Sequence, residues 1–216
     1  GRELRPLDLT VGGDPSSACF WAAASVMQDR RVRIRNVLLN PTRMGFAEVL
    51  KRMGAPVTTA VESKAGGEDV GTVDIGGAGS SLRATEVKPH EIPTLIDEVP
   101  MLAIASLWAR GTTAFRGVQE LRVKESDRLE AVISFIAEIG GRAWAEGNDL
   151  FVEGLGGRPA GPKSSEWTYE TLGDHRLAMA SIVTADALRK EIVLDDAECI
   201  KVSYPGFFGH REVLAK

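Results

Sequence analysis

The feature that most constrains this chain is that it repeats itself. Three phrases, GDPSSACFWAAAS, IDEVPMLAIAS and GDHRLAMAS, each set an aspartate (Asp14, Asp97 and Asp174) ahead of a run of small residues. The spacing is close to even, since Asp97 follows Asp14 by 83 residues and Asp174 follows Asp97 by 77. After each run comes a strand-like stretch (VRIRNV, TTAFRGV, EIVLDDA) and then an amphipathic one (GFAEVLKRMG, SDRLEAVISFIAEIG, FFGHREVLAK). A carboxylate just ahead of a helix accepts orphan backbone N–H groups, so each phrase predicts a helix led by its aspartate. Gly54 and Gly140 close the first two amphipathic segments, where a left-handed cap favours glycine. A further pair, GEDVGTVDIGG and GNDLFVEGLGG, reads as short glycine-bounded strands, and the third copy stops before this segment.

The small-residue helices carry Ala22 to Ala24, Ala103, Ala105, Ala178 and Ala180 and are apolar or small nearly all round. That is the pattern of helices buried on every side. The prediction is an α/β fold with helices inside and strands as an outer wall. No G-x-G-x-x-G turn follows a strand, which separates this arrangement from a doubly wound sheet. GGAGSS at 76–81 lacks the lysine of a phosphate loop and reads as a flexible turn.

Of the 216 residues, 44% are hydrophobic and 26% charged, enough for a sizeable core in one large domain or two small ones. No window resembles a membrane span, and the first twenty residues lack a basic-then-apolar leader, so the expectation is a cytoplasmic protein with no membrane partner. A net charge of −4 argues against a nucleic-acid partner. Cys19 and Cys199 have no metal-type spacing and read as small core residues, and His175 has no second histidine at ligand distance, so no metal is expected.

The charges are the unusual part. ELRVKESDRL leads straight into the apolar stretch that follows it. If the helix already includes Glu125, a wheel of about 100° per residue puts Leu129, Val132, Ile133 and Ile136 within about 80° of it, Arg128 and Lys124 at the edge, and Asp127 opposite. A glutamate in an apolar stripe would hold its proton more tightly than usual. The plain alternative is ion pairing among Lys124, Glu125 and Arg128 on an exposed first turn. His175 and Arg176, directly after Asp174, likewise put cations at the positive end of a helix. An anion bound there would remove that conflict, and so would an ion pair of Arg176 with a carboxylate.

Together, ELRVKESDRL, GDHRLAMA, GDPSSA, LIDEVPMLAIA and SYPGFF resemble the C-terminal half of the 5-enolpyruvylshikimate-3-phosphate synthase family (3-phosphoshikimate 1-carboxyvinyltransferases). The resemblance implies a single domain over residues 1–216, an inside-out α/β barrel of three repeats (roughly 1–85, 86–160 and 161–216). That barrel is one of the two domains of the enolpyruvyl transferase fold. It implies transfer of the enolpyruvyl group of phosphoenolpyruvate to the 5-hydroxyl of shikimate 3-phosphate with release of phosphate, without metal or organic cofactor.

Carried over by motif, Asp97 contacts the shikimate hydroxyl as proton acceptor, and Glu125 handles the proton at the methylene carbon of phosphoenolpyruvate. Lys124 resembles the residue that holds shikimate 3-phosphate, and Glu120 stands where some members have an asparagine that touches it. Arg128 and Arg176, with His175, resemble the donor clamp. Many members carry a lysine just before the S/T-aromatic-Pro segment, where this chain has Val202 with Lys201 one place early, so either the loop differs by one residue or that contact is absent. Motifs of the family's N-terminal half do not occur, which makes that domain an expected partner and the isolated chain inactive. The alternatives are a UDP-N-acetylglucosamine enolpyruvyl transferase, whose counterpart of KESDR reads more like Glu-Asn-Arg-Phe, and a noncatalytic half-barrel that binds phosphorylated ligands.

Overall fold

In the computed structural model, residues 8, 10–77 and 81–215 are described. The elements in chain order are α1 (Pro15–Gln28), β1 (Val32–Leu38), α2 (Gly45–Arg52), β2 (Val57–Ala65), β3 (Glu68–Ile75), β4 (Glu86–Val87), α3 (Val99–Ala105), β5 (Arg110–Phe115), α4 (Arg128–Glu138), β6 (Arg142–Glu146), β7 (Asp149–Leu155), β8 (Thr168–Tyr169), α5 (His175–Leu188), β9 (Val193–Leu194) and α6 (Phe207–Ala215).

The small residues of α1, α3 and α5 let these three helices pack against one another, and their burial is nearly complete on every side. Around them stand three sheets, ordered β1-β3-β2, β4-β5-β7-β6 and β8-β9. Helices inside and sheets outside is the predicted inside-out arrangement. Each copy begins alike. A short extended segment leads into a core helix and pairs in parallel with the strand after it: Gly13 with Val37, β4 with β5, β8 with β9. The first two copies then add an antiparallel hairpin, β2–β3 and β6–β7, turned through Gly66 and Gly67 (φ +59° and +90°) and through Gly147 (φ +59°). The third copy has no such hairpin among the described residues, and its EIVLDDA segment shortens to the two-residue β9.

The amphipathic helices follow their pattern. α2 buries Phe46, Ala47, Val49 and Leu50, and α4 buries Leu129, Val132, Phe135 and Ile136. Gly54 and Gly140 follow their C-caps at φ +100° and +86°, the left-handed region predicted for them. α6 is held on α1 by aromatic contacts: Trp21 donates from Nε1 to the Tyr204 hydroxyl at 2.8 Å and stacks on Phe207 at 5.0 Å between centroids.

Several expectations need correction. Asp14 and Asp174 do cap α1 and α5, accepting from Ser17 N and from Arg176 N and Leu177 N. Asp97 does not cap α3, which starts two residues later, with Pro100 in its first turn and Glu98 at the cap position. α4 starts at Arg128, capped by Asp127, so Lys124 and Glu125 precede the helix and Glu125 is not in its apolar stripe. Cys19 is a core residue, but Cys199 is only half-buried, on the 3-10 turn Glu198–Val202, where its Sγ donates to Asp196 O. β2 and β6, the first arms of the hairpins, were not anticipated. Of the glycine-rich turn, residues 78–80 lie outside the described residues; Gly76 N donates to Pro56 O at 2.8 Å.

Candidate active site

The starts of the core helices meet at one end of the barrel, and the charged loop before α4 lies across them. Asp127 turns that loop into the helix by accepting from Glu130 N at 3.0 Å. This sets Arg128 as the first helical residue, pointing inward, with a side chain 1% exposed. A guanidinium so buried has to be paired. Its Nε donates to Asp174 Oδ2 at 2.7 Å, its Nη1 to Asp97 Oδ1 at 3.1 Å, and its Nη2 to Glu125 Oε2 at 2.6 Å and to Asp174 Oδ1 at 3.3 Å. Ser126 Oγ donates to Asp174 Oδ2 at 3.1 Å. Asp174 thus caps α5 and anchors Arg128 with the same carboxylate.

Asp97 is the meeting point of the cations. Lys124 Nζ is 3.4 Å from its Oδ1 and Arg176 Nη2 is 3.6 Å from its Oδ2. Burial pushes the Asp97 carboxyl up, but Arg176, Lys124 and Arg128 outweigh burial and hold it below the ordinary carboxylate value. Burial also pushes Asp174 up, and again the bonds from Arg128, with Arg176 N and Ser126, bring it below that value. His175, half-buried at the start of α5, is held low by burial and then by Arg176, so its imidazole is neutral at pH 7.

The structure therefore brings together Asp97, Lys124, Glu125, Arg128 and Arg176, with His175 adjoining. Glu125 has a half-exposed side chain and reaches the cluster through Arg128, not through an apolar stripe. Arg128 is occupied by three protein carboxylates, unlike the open clamp that the motif suggests. Glu120 is exposed on the 3-10 turn Gln119–Val123 and joins no ion pair with a described residue. Lys201 is exposed and pairs with Glu198 at 2.7 Å, outside the cluster. Sequence reasoning missed the Asp174–Arg128 pair, because the partners lie 46 residues apart and Asp174 already had a role as a cap. It also missed Glu98, buried beside Asp97, and Arg43, which reaches Asp14 at 3.3 Å and Ser16 at 2.9 Å.

Among the described residues no group of three or more His, Cys, Asp or Glu could hold a metal ion, and no helix is long and apolar enough to cross a membrane.

A three-copy inside-out barrel with a cationic cluster at the starts of its core helices is the architecture of the enolpyruvyl transferases. A solved enolpyruvyl transferase from Streptomyces tendae shares this fold at a TM-score of 0.75 with 20% identity, over 98% of this chain and 45% of that one. The chain belongs to the EPSP synthase (3-phosphoshikimate 1-carboxyvinyltransferase) family, whose profile matches residues 1–210. A solved EPSP synthase from Acinetobacter baumannii superposes at a TM-score of 0.85 with 32% identity, over 99% of this chain and 48% of that one. The 3-phosphoshikimate 1-carboxyvinyltransferase of Acidiphilium cryptum is 44% identical over 206 residues, 95% of this chain and 44% of that protein. That of Sulfurihydrogenibium is 37% identical over 99% of this chain and 48% of its own length. The chain spans about half the length of the curated relatives it matches.

Proposed function

We propose that this chain is one barrel domain, with copies over 1–85, 86–160 and 161–216, that supplies half of an interdomain site. At that site the enolpyruvyl group of phosphoenolpyruvate passes to the 5-hydroxyl of shikimate 3-phosphate and phosphate is released. The observation that carries the reading is the convergence of Asp97, Lys124, Glu125, Arg128 and Arg176 on one end of the core in a member of this family.

The geometry suits the parts of such a reaction. Both substrates are anions, and Lys124 and Arg176 are the cations least committed to protein partners. Asp97 is ionised and accepts the proton of the 5-hydroxyl as that oxygen bonds to the donor carbon. The surrounding cations make it a weak base until substrate anions engage them, which ties proton transfer to full occupancy. Glu125, reachable from solvent, gives a proton to the methylene carbon during addition. It takes one back as the bond to phosphate breaks, once a donor anion has replaced it at Arg128.

The test is to purify the chain, confirm cooperative unfolding, and measure phosphate release with both substrates, alone and with the remaining half of a relative added in trans. The expected result is release only in the second case, because an open half-site neither excludes water nor aligns the reactants. Turnover by the lone chain at about 1 per second or faster would overturn the half-site reading.

A further inference from the structure

Glu98, the residue after Asp97, has no part in the chemistry described so far. It is 4% exposed, and its Oε1 has no hydrogen-bond partner in the structure. An unpaired buried oxygen costs about 1–3 kcal/mol, so the position calls for a reason. The other two copies have Pro15 and His175 after their capping aspartates. In the second copy the helix starts later, Asp97 faces the cation cluster, and Glu98 turns inward without capping anything.

Every neighbouring element presents a polar group to it. From α1 and its cap come Ser16, Cys19 and Asp14; from the loop before α2 comes Arg43; from α5 comes Arg176; and from its own segment comes Asp97. Arg43 donates to Ser16 Oγ at 2.9 Å, and Ser16 in turn hydrogen-bonds the Glu98 carboxyl. On the far side stands Arg176, whose side chain is 16% exposed, whose closest carboxylate contact is the 3.6 Å approach to Asp97, and whose guanidinium makes no hydrogen bond with a described residue. Two under-satisfied groups of complementary type therefore lie close together, and no ion pair joins them. An ionised Glu98 would compete with any anionic donor for that guanidinium.

We propose that Glu98 is a positioning residue of the donor subsite: it fills the space beside Arg176 without neutralising it, so that the guanidinium stays available to the anionic donor. The inference rests on the reading of the site given above. Burial pushes the Glu98 carboxyl up, and the contact with Ser16 and the charge of Arg176 offset only part of that, so the group is disposed to keep its proton. As pH rises and Glu98 ionises, Arg176 turns to it and donor binding weakens.

The experiment compares the full-length wild type with Glu98→Gln, which is uncharged at every pH, and Glu98→Asp, which keeps a carboxyl one methylene shorter. KM for phosphoenolpyruvate and for shikimate 3-phosphate is measured between about pH 6 and about pH 9. In the wild type the donor KM should climb about tenfold on the alkaline side while the acceptor KM does not follow. Glu98→Gln should abolish that climb and Glu98→Asp should retain it. The donor's own ionisation is common to all three proteins and cancels. The same climb in wild type and Glu98→Gln, or no climb in the wild type, would overturn the role of Glu98 while leaving the site intact. Absence of enolpyruvyl transfer by the wild type would instead overturn the reading of the site.

Discussion

Arg128 and Arg176 both stand in the first turn of a helix and both approach Asp97, yet their surroundings differ sharply. Arg128 is 1% exposed and bonded to Asp174, Asp97 and Glu125; Arg176 has one loose contact at 3.6 Å. Asp174 decides the difference. It is 0% exposed, so the Arg128 charge and its own must neutralise each other inside the protein. Arg176 has only Asp97, a carboxylate shared with two other cations. One arginine ties the start of α4 to the start of α5, and the other is free to meet a ligand. A cation at the positive end of a helix is therefore compatible with two opposite roles, and the buried counter-charge tells them apart.

The largest effect should come from breaking the tied side. Arg128→Ala leaves Asp174 buried without its partner, and removal of one member of a buried pair costs about 3–5 kcal/mol. Urea unfolding of the chain would measure it. The acid side offers a second reading. Asp174 is held below its ordinary value in the folded state, so the stability it contributes is present above the unfolded carboxylate value of about 4 and is lost as pH falls toward the folded one. That acid dependence should shrink in Arg128→Ala. A cost no larger than that of Arg176→Ala would erase the distinction between the two arginines.

Arg176→Ala should do the reverse. Its expected cost in stability is about 1 kcal/mol or less, as for a loosely made ion pair near the surface. Its expected cost in phosphoenolpyruvate binding is about 1.5–3 kcal/mol, the scale of a charge-assisted contact, with a smaller effect on shikimate 3-phosphate. Separate titrations of the two ligands with the full-length protein measure this. Equal losses for both would show that Arg176 serves the general field of the site and not the donor.

The repeat made the fold legible before any coordinates. Evenly spaced aspartates, all-round apolar helices and glycine stops at Gly54 and Gly140 are local signals, written in composition and spacing. Boundaries at the site were misread for an equally physical reason. Asp97 resembles Asp14 and Asp174 in sequence, but the proline at position 100 sits within the first turn of α3, and the helix starts there. Likewise the wheel that put Glu125 among the leucines assumed that the helix continued backward through Asp127, which in the structure caps it. The site residues were recognisable by motif; their partners were not. The pairs Arg128–Asp174 and Glu98–Ser16 depend on which copies of the repeat lie side by side, and no spacing within one copy encodes that.

The comparison extends to the aspartates, where the expected effect is smallest. Asp14 accepts from Ser17 N at 2.9 Å and from Ser17 Oγ at 3.1 Å, and its side chain is 49% exposed, with Arg43 at 3.3 Å. It is a cap with access to water, so Asp14→Ala should cost about 1 kcal/mol, the usual value for a lost N-cap, and water can take over part of the freed N–H bonding. Asp174→Ala removes the same kind of cap and also strands Arg128, so its cost should exceed that of Asp14→Ala by at least about 2 kcal/mol. The double variant Asp174→Ala with Arg128→Ala should recover part of that excess, because neither charge is then left buried alone. Chemical denaturation of the three variants gives the numbers. Equal costs at Asp14 and Asp174 would mean that capping alone sets the stability of the core-helix starts, and that the ion pair beneath them contributes nothing of its own.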